Sequence, residues 1–383
     1  MRMFWKQFGS YLLVAVLSTV ATLAMVDAQV GLRPSKLDQL EGLIEECFVE
    51  EPDMTAAEDA AAAAMVNALG DRWSYYISAK DYETHMEQMN NAYVGVGITI
   101  LGTPDGSGYE IMEVVSGGPA EAAGIRIGDV LTAVEGQSVL DLTTVQVRDM
   151  VKGKEGTFVS LTVKRQEEEL TLSVERRQVQ TPVAEYEMLE ENIGLVTIVN
   201  FDSRCAQETI AAMEALLQQG AEKLIFDVRN NPGGYASELV EVLDYLLPEG
   251  ELFRSVSYDG KENVDYSDAD YLDIPMAVIV NARSYSAAEF FAAALREYEA
   301  ATVVGQQTVG KGYFQYTYRL NDGSAVGLSV GKYFTPKGVS LAEVGITPDV
   351  VVEMDEETAN KLYYNRLTPE EDPQIQAAIE ALQ

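Results

Sequence analysis

The chain of 383 residues is 47% hydrophobic, which is enough apolar material for two or three folded domains and excludes a disordered chain. Its 61 acidic and 27 basic residues give a formal net charge of −34. Because so acidic a protein repels phosphate backbones and anionic lipid headgroups, we expect no nucleic-acid partner.

The first segment, residues 1–30, is predicted to be a targeting element outside the fold. Arg2 and Lys6 precede an uncharged apolar run, YLLVAVLSTVATLAMV. A cleaved signal peptide and a retained membrane anchor share this pattern, because the run approaches the roughly twenty residues that span a bilayer. The weak cleavage signal VDA before Gln29 favours the anchor. Both alternatives predict an extracytoplasmic protein, tethered to the membrane or secreted, since positive charge before the run keeps the amino end inside.

Residues 31–90 are predicted to form a helical N-terminal domain. Apolar residues recur there at intervals of three and four, as in an amphipathic helix: Leu37, Leu40, Leu43, Ile44 and Phe48. An alanine-rich helix and a third short helix follow. The only histidine, His85, lies in the third helix close to two glutamates. This position indicates a surface histidine, although His85 is also the only residue that could serve a histidine-based mechanism.

The two cysteines, Cys47 and Cys205, are far apart in the sequence and have no partner at the spacing of metal ligands. The ligand count therefore excludes a structural zinc site, and we expect no metal. A disulfide between them stays open, because an oxidising compartment would permit one. Buried thiols are the default expectation.

Residues 91–178 alternate short strands with glycine turns. Successive N–H groups in such a turn form an anion-binding nest, and the edge of an adjacent strand accepts an extended peptide. The loop YVGVGI, together with GGPAEAAGIRIGDVL downstream, resembles a PDZ domain rather than an unrelated small β-barrel. The resemblance implies that six residues bind a chain-terminal carboxylate: Tyr93, Val94, Gly95, Val96, Gly97 and Ile98.

Residues 179–350 alternate strands rich in Val and Ile with helices, which is the layout of an α/β domain. Residues 351–383 are predicted to be a C-terminal helical tail. The fold class is therefore multidomain: an N-terminal helical segment, a mostly β domain and an α/β core.

A first strand–turn–helix unit is LIFDVRNNPGGYASELV. Gly233 and Gly234 lie in its turn, where glycine N–H groups can point at an anion near the amino end of the following helix. One interpretation is an ordinary tight turn, and the other is half of an oxyanion hole.

The second unit is MAVIVNARSYSAAEFFAAALREY, with Ser286 in the first turn of its helix. Ser286 and Glu289 have the spacing of a capping box, so a purely structural role as N-cap is one interpretation. A hydroxyl at a helix amino end also lies where partial positive charge stabilises an alkoxide, which suits a nucleophile. The spacing in the sequence does not favour Ser284 or Tyr285 over Ser286 as the nucleophile.

Lys311 is the candidate base for such a nucleophile. Glycines flank it, and apolar or aromatic residues surround it in the sequence VGKGYFQY. Burial disfavours the charged ammonium and lowers a lysine pKa, which produces an amine able to accept the serine proton. In a strand, Gln315 would share a face with Lys311 and could hold the amine. The alternative interpretation is an ordinary loop lysine.

Five separated motifs over residues 60–350 resemble the C-terminal processing peptidases, also called tail-specific proteases, which are serine/lysine endopeptidases with a PDZ domain. The motifs are ALGDRWSYYI, RNNPGG, SYSAAE with GKGYFQ, YFTPKG and GITPDV. The resemblance implies that Ser286 is the nucleophile, Lys311 the base and Gln315 its orienting amide. It also implies an oxyanion hole made by the N–H of Gly233 or Gly234 together with that of Ala287.

Three positions depart from the family pattern. Tyr285 replaces a small residue beside the nucleophile and Ala288 replaces a serine, so the first substrate pocket is expected to change shape. Lys152 stands where the family has an arginine at the end of the PDZ helix, and the resemblance implies that it senses substrate arrival.

The sequence therefore predicts an exported, membrane-tethered endopeptidase that recognises protein C-termini, forms a homodimer through its helical ends and needs no cofactor. Two rivals are weaker. A non-catalytic PDZ scaffold would not require the motifs around Ser286 and Lys311, and a penicillin-recognising acyl-transfer protein would need Ser-x-x-Lys within one helix.

Overall fold

The computed structural model describes residues 34–166, 168–364 and 366–383. The predicted targeting element at residues 1–30 lies outside the described residues. Within those ranges, no helix is long and apolar enough to cross a membrane. The chain divides after Met65 into two compact units.

The N-terminal part is helical, as predicted. Its elements are α1 (Lys36–Cys47), α2 (Met54–Asn67), β1 (Tyr75–Ile77) and α3 (Tyr82–Met89). A capping box opens α1, because Ser35 and Asp38 each accept a hydrogen bond from the other's backbone N–H. None of the residues of α1 is buried.

Both cysteines are free thiols in this structure. Cys205 is buried, and this burial raises the pKa of its thiol to about 12. Cys47 is exposed at the end of α1, so the expectation of buried thiols is wrong for this residue. The physical reason is that α1 buries none of its own face.

The β domain follows α3. Its elements are β2 (Ala92–Gly95), β3 (Ile98–Gly102), β4 (Tyr109–Val114), α4 (Pro119–Ala122), β5 (Val130–Val134), β6 (Gln137–Ser138), α5 (Thr144–Val151), β7 (Phe158–Arg165), β8 (Glu168–Glu175) and β9 (Arg177–Gln180). The main sheet has the order β3-β4-β5-β7-β8, with β6 paired to β5. The two ends of the domain close on each other, because Ala92 pairs with Gln180 in the β2–β9 ladder.

The acidic residue of the GDVL segment has a structural role in this domain. Asp129 is 1% exposed. Its carboxylate accepts hydrogen bonds from Nε and Nη2 of Arg165, at 2.7 and 2.8 Å. This bidentate pair ties the turn before β5 to the end of β7.

The remainder of the chain contains the predicted α/β core and the predicted C-terminal tail. Its elements are β10 (Ala184–Met188), a 3-10 turn (Glu190–Asn192), β11 (Ile193–Ile198), α6 (Cys205–Gln218), β12 (Lys223–Asp227), α7 (Ala236–Leu246), β13 (Gly250–Ser257), β14 (Glu262–Ser267), β15 (Met276–Val280), α8 (Ala287–Glu297), β16 (Ala301–Gly305), β17 (Tyr313–Arg319), β18 (Ala325–Phe334), β19 (Val350–Val351), α9 (Glu356–Tyr363) and α10 (Pro373–Ala381).

A six-stranded sheet in the order β10-β11-β12-β15-β16-β19 is the centre of this region. All its neighbours are parallel except β10, which runs antiparallel to β11. Every residue of β15 is buried, as expected for a central parallel strand covered on both faces. Helices α6, α7 and α8 cover one face, and α10 packs on the other. The second helix of the predicted C-terminal tail is thus part of the core.

A second, antiparallel sheet carries the loop that contains Lys311. It has the order β1-β18-β13-β14, with β17 paired to β18. Aromatic rings join it to α8: Phe253 meets Phe290 edge to face at 5.2 Å, and Tyr333 stacks on Phe314 at 4.9 Å. The ring of Phe290 also contacts Tyr333. Helix α8, which follows the predicted nucleophile turn (residues 281–286), therefore shares one aromatic cluster with the sheet that follows the lysine loop (residues 306–312).

A buried ion pair fastens α10 beneath the turn after β12. Nη1 of Arg229 lies 2.7 Å from Oδ2 of Asp372, and both side chains are 2% exposed. Arg229 also pairs with Asp227. The other oxygen of Asp372 caps α10, accepting from the N–H groups of Gln374 and Ile375.

We expect Asp372→Asn to lower the free energy of unfolding by about 2–4 kcal/mol, because it leaves a buried guanidinium short of one counter-charge while keeping the cap. Urea denaturation followed by circular dichroism measures this loss. Asp355→Asn is the matched control, because Asp355 caps the exposed α9 in the same way. Equal losses in the two variants would contradict the role given to the buried ion pair.

Candidate active site

The two predicted turns lie side by side at the carboxyl ends of neighbouring parallel strands. One follows β12 and the other follows β15. Asn230 and Asn281 join them by a reciprocal pair of hydrogen bonds, each 3.0 Å long. The N–H of Tyr285 also donates to the carbonyl oxygen of Asn231 at 3.1 Å. This edge of a parallel sheet is where ligands bind in open α/β folds.

Ser286 is the N-cap of α8 in a strained conformation. Its φ of 59° and ψ of −126° lie in a region that residues with a Cβ rarely adopt. Such strain typically costs about 1–3 kcal/mol and is found where a side chain must be presented for function, as at the sharp strand-to-helix turns that carry nucleophilic serines. Ser284 has a structural role instead, because its hydroxyl donates to the carbonyl oxygen of Val228 at 2.7 Å.

A buried carboxylate joins the nucleophile turn to the lysine loop. Glu289 is fully buried. Its Oε2 accepts from the N–H of Ser286 at 2.9 Å and from the N–H of Lys311 at 2.8 Å. Its Oε1 accepts from the Thr308 hydroxyl and the Gly310 N–H. The two chain segments that carry the predicted nucleophile and base therefore share a single acceptor atom.

The side chain of Lys311 lies against two aromatic rings. Nζ is 5.0 Å from the ring centroid of Trp73 and 5.7 Å from that of Tyr285. Burial lowers the pKa of Lys311, while the carboxylates of Asp71 and Glu289 act in the opposite direction. Among the described side chains, Lys311 and Ser286 form no hydrogen bond with each other. For Lys311 to act as a base toward Ser286, the two side chains must come into hydrogen-bonding contact, and such tightening on substrate binding is common.

Gln315 does not hold the amine in this structure. Its carboxamide nitrogen donates to Oγ of Ser329 at 3.0 Å and to the carbonyl oxygen of Tyr313 at 3.2 Å. The strict alternation on which the prediction relied is broken, because the β17–β18 register shifts between Phe314 and Gln315. The backbone N–H of Ser329 in turn donates to Oγ of Ser74 at 3.1 Å.

The glycine turn approaches the nucleophile turn very closely. Gly233 has a φ of 87°, and a Cβ built on it would lie 2.7 Å from Cβ of Ser286 and 2.8 Å from the backbone nitrogen of Ala287. The N–H of Gly233 donates to Oδ1 of Asn231 at 2.8 Å. Among the described residues, the N–H groups of Gly234 and Ala287 have no hydrogen-bond partner. These two N–H groups are thus available to an acceptor, whereas that of Gly233 is already engaged.

Ala288 lies in the core and not in a substrate pocket. It is 0% exposed, so the expected effect of this residue on the first pocket is not supported. Tyr285 is half-buried and faces Trp73, with ring centroids 5.8 Å apart. Of the two departures beside the nucleophile, only Tyr285 can shape the site.

The β domain has a groove of about 430 Å³ between β3 and α5. The predicted carboxylate loop lines it with Tyr93, Gly95, Val96, Gly97 and Ile98. Lys152 follows α5 at the same groove, and its Nζ lies 3.3 Å from Oε2 of Glu87. Val94 donates its N–H to the other oxygen of Glu87, also at 3.3 Å.

The remaining chemical candidates do not form sites. In the described ranges, no group of three or more His, Cys, Asp or Glu residues could hold a metal ion. His85 packs its ring on Tyr75 at 5.6 Å, and burial lowers its pKa. His85 is therefore a half-buried residue that packs on Tyr75, and the prediction of a surface histidine is wrong.

Three residues of the site were missed by the reasoning from sequence. The spacing of Glu289 indicated only a helix cap, and nothing in the sequence connected it to Lys311. Trp73 belongs to a recognised motif, ALGDRWSYYI, but without an assigned role. Glu87 carried no signal other than its charge.

Comparisons with known proteins identify related sequences for both halves of the chain. Peptidase family S41 matches residues 192–352, and the PDZ domain matches residues 110–165. The protein named "Probable CtpA-like serine protease" of Staphylococcus aureus (strain COL) is 30% identical over 355 residues, covering 90% of this chain and 71% of the relative. The protein of the same name from Staphylococcus epidermidis (strain ATCC 12228) is 29% identical, with coverages of 90% and 72%.

One solved structure resembles the fold of nearly the whole chain. The crystal structure of the protein named "Putative S41 protease" from Bacteroides fragilis NCTC 9343 aligns with a TM-score of 0.59. It covers 91% of this chain and 97% of its own, at 16% sequence identity. This likeness concerns the fold alone.

We expect Gly233→Ala to reduce peptide cleavage by at least about 100-fold, because the new methyl group would press on Ser286 and on the backbone beside it. Gly260→Ala is the matched control: it also has a positive φ, of 80°, but its Cβ would have open space around it. The control should show only a stability loss of about 1 kcal/mol. Peptide cleavage is measured for both variants. Similar activities of the two would contradict the close approach of Gly233 to Ser286 and Ala287.

Proposed function

We propose that this chain, which belongs to peptidase family S41 and is a serine protease with a PDZ domain, cleaves proteins with Ser286 as nucleophile and Lys311 as base. The family and the serine-protease activity predicted from the motifs are confirmed by the comparisons. The further proposal is that the PDZ groove selects substrates by their C-terminal tails.

The shared acceptor oxygen of Glu289 is the observation that carries the Ser/Lys assignment. It holds the backbone of Ser286 and the backbone of Lys311 to one atom. The lowered pKa of Lys311 supplies the second requirement, because a neutral amine can accept a proton at a pH where an exposed lysine cannot.

The proposed reaction proceeds in two halves. Lys311 accepts the hydroxyl proton of Ser286 while Oγ attacks the scissile carbonyl carbon, and the N–H groups of Ala287 and Gly234 stabilise the oxyanion. The ammonium then returns its proton to the departing amine as the C–N bond breaks. In the second half, Lys311 takes a proton from water, whose oxygen attacks the acyl carbon, and Ser286 is released with its proton restored.

The groove of the β domain supports recognition of chain termini. Apolar side chains of Val96, Ile98, Ile100 and Val151 line it beside the glycine loop. An extended peptide could pair with the edge of β3, place an apolar last side chain in the groove and direct its carboxylate to the loop. We propose proteins with accessible C-termini as the substrates.

The proposed location is outside the cytoplasm, with residues 1–30 as a membrane tether or cleaved leader, and the proposed assembly is a homodimer. Support for the dimer comes from α1, whose side chains Leu40 and Leu43 are 52% and 59% exposed. Removal of residues 1–30 should move the protein from the membrane fraction to the soluble fraction, which cell fractionation measures. Sedimentation should show Leu40→Glu/Leu43→Glu as a monomer, and unchanged association would contradict this contact.

We expect kcat/KM to rise with pH along a single ionisation, because only the deprotonated amine acts as base. Its midpoint should lie below the ordinary lysine pKa of about 10.4, since burial lowers the pKa of Lys311. Lys311→Ala should reduce kcat by about 10²–10⁴-fold, and Lys311→Arg should not restore it because guanidinium stays protonated. Measurements use cleavage of a fluorogenic peptide.

Lys261→Ala, which removes an exposed lysine from the β13–β14 hairpin, is the control for these kinetics. Undiminished cleavage by Lys311→Ala would show that another residue is the base. Labelling by a serine-directed fluorophosphonate, lost in Ser286→Ala, separates an active enzyme from a PDZ scaffold without catalysis.

A further inference from the structure

The carboxylate of Glu87 occupies the polar end of the PDZ groove. Glu87 projects from α3, the helix just before the domain, and lines the cavity together with the glycine loop. Its Oε1 accepts a hydrogen bond from the N–H of Val94, and its Oε2 pairs with Nζ of Lys152, both at 3.3 Å. The side chains of Glu87 and Lys152 are only 23% and 35% exposed, so the pair is shielded from bulk water.

These two contacts are of the kind that a bound peptide terminus makes. A chain-terminal carboxylate needs backbone N–H donors from the loop and gains from a nearby cation. Val94, which belongs to the predicted carboxylate loop, donates its N–H to Glu87, and Lys152 is a cation that follows α5 at the groove. A carboxylate of the chain itself therefore engages a donor and a cation of the kind that a ligand's carboxylate would use.

We propose that Glu87 is an internal competitor for the C-terminal carboxylate of the substrate, and thereby a residue that determines tail specificity. The inference rests on the proposed function of the groove as a site for chain termini. A tail binds by displacing the carboxylate of Glu87 from Val94 and Lys152. The Glu87 side chain then turns away from the groove, either by rotating on α3 or by moving together with α3.

The competition has a selective consequence. The apparent dissociation constant equals the intrinsic constant divided by the fraction of molecules with a free groove. Internal segments and amidated ends bring no charge to exchange for that of Glu87, so they gain little from displacing it. A tail must combine a free carboxylate with apolar contacts to Ile98 and Val151, and weak ligands are excluded.

The test measures peptide binding to the full chain in a Ser286→Ala background, which prevents cleavage. The probes are a fluorescein-labelled peptide of about ten residues that ends in alanine-valine with a free carboxylate, and the same peptide amidated. Fluorescence anisotropy gives Kd for the parent, Glu87→Gln and Glu87→Asp. The control is Glu83→Gln, which removes an exposed charge from the same helix.

We expect Glu87→Gln to lower Kd for the carboxylate peptide by about tenfold and that for the amidated peptide by clearly less, because the amide has no charge to pair with the freed Lys152. Glu87→Asp keeps the charge but withdraws it by one methylene, so it should also tighten binding if the contact itself matters. Glu83→Gln should have no effect. Circular dichroism of each variant confirms that the fold is kept.

The outcomes distinguish this inference from the function on which it rests. Equal Kd values in the parent and both Glu87 variants, with the carboxylate peptide still preferred over the amide, would overturn the competitor and leave the groove's function standing. Equal improvement by Glu83→Gln would replace the specific contact with general charge repulsion and would also overturn it. If no variant distinguishes carboxylate from amide, the proposed recognition of C-termini fails.

Discussion

One buried carboxylate fixes the relation between the nucleophile turn and the lysine loop. Glu289 is fully buried, and three of its four hydrogen-bond donors are backbone N–H groups. A buried charge left without partners would cost several kcal/mol, so the fold that satisfies it must bring all four donors together. The two loops that form the site are therefore held by the requirement to solvate one anion.

The same carboxylate affects the chemistry of Lys311. Burial lowers the pKa of this lysine, but the negative charges of Glu289 and Asp71 favour its ammonium form. The rings of Trp73 and Tyr285 act in the same sense as the carboxylates, because their faces attract a cation. Burial nevertheless outweighs the carboxylates, so the pKa of Lys311 is lowered.

Much of the fold could be predicted from the sequence because the signals were local. The apolar strands, the glycine turns and the helix spacing gave the order of domains, and the turn residues identified both loops of the site. The contact of Gln315 with Lys311 could not be predicted correctly, because the bulge beside Phe314 depends on pairing with β18. Burial of α10 depends on Arg229, whose partner Asp372 lies far along the chain. Contacts between residues far apart in the chain leave no periodic pattern in the sequence from which they could be predicted.

Helix α3 lies between the PDZ groove and the residues around Lys311, and it is linked to both by single ring contacts and hydrogen bonds. Glu87 of this helix lines the groove, and His85, two residues earlier in the same helix, packs its ring on Tyr75. Tyr75 opens β1, two residues after the ring that faces Nζ of Lys311, and its hydroxyl is hydrogen-bonded to Thr317 of β17. A path of contacts alone is no proof of coupling, which requires an element with two arrangements that both sites bias. Helix α3 contacts both ends of this path, because Glu87 lines the groove and His85 packs on Tyr75. Coupling between the groove and the surroundings of Lys311 would therefore require a second arrangement of this short helix.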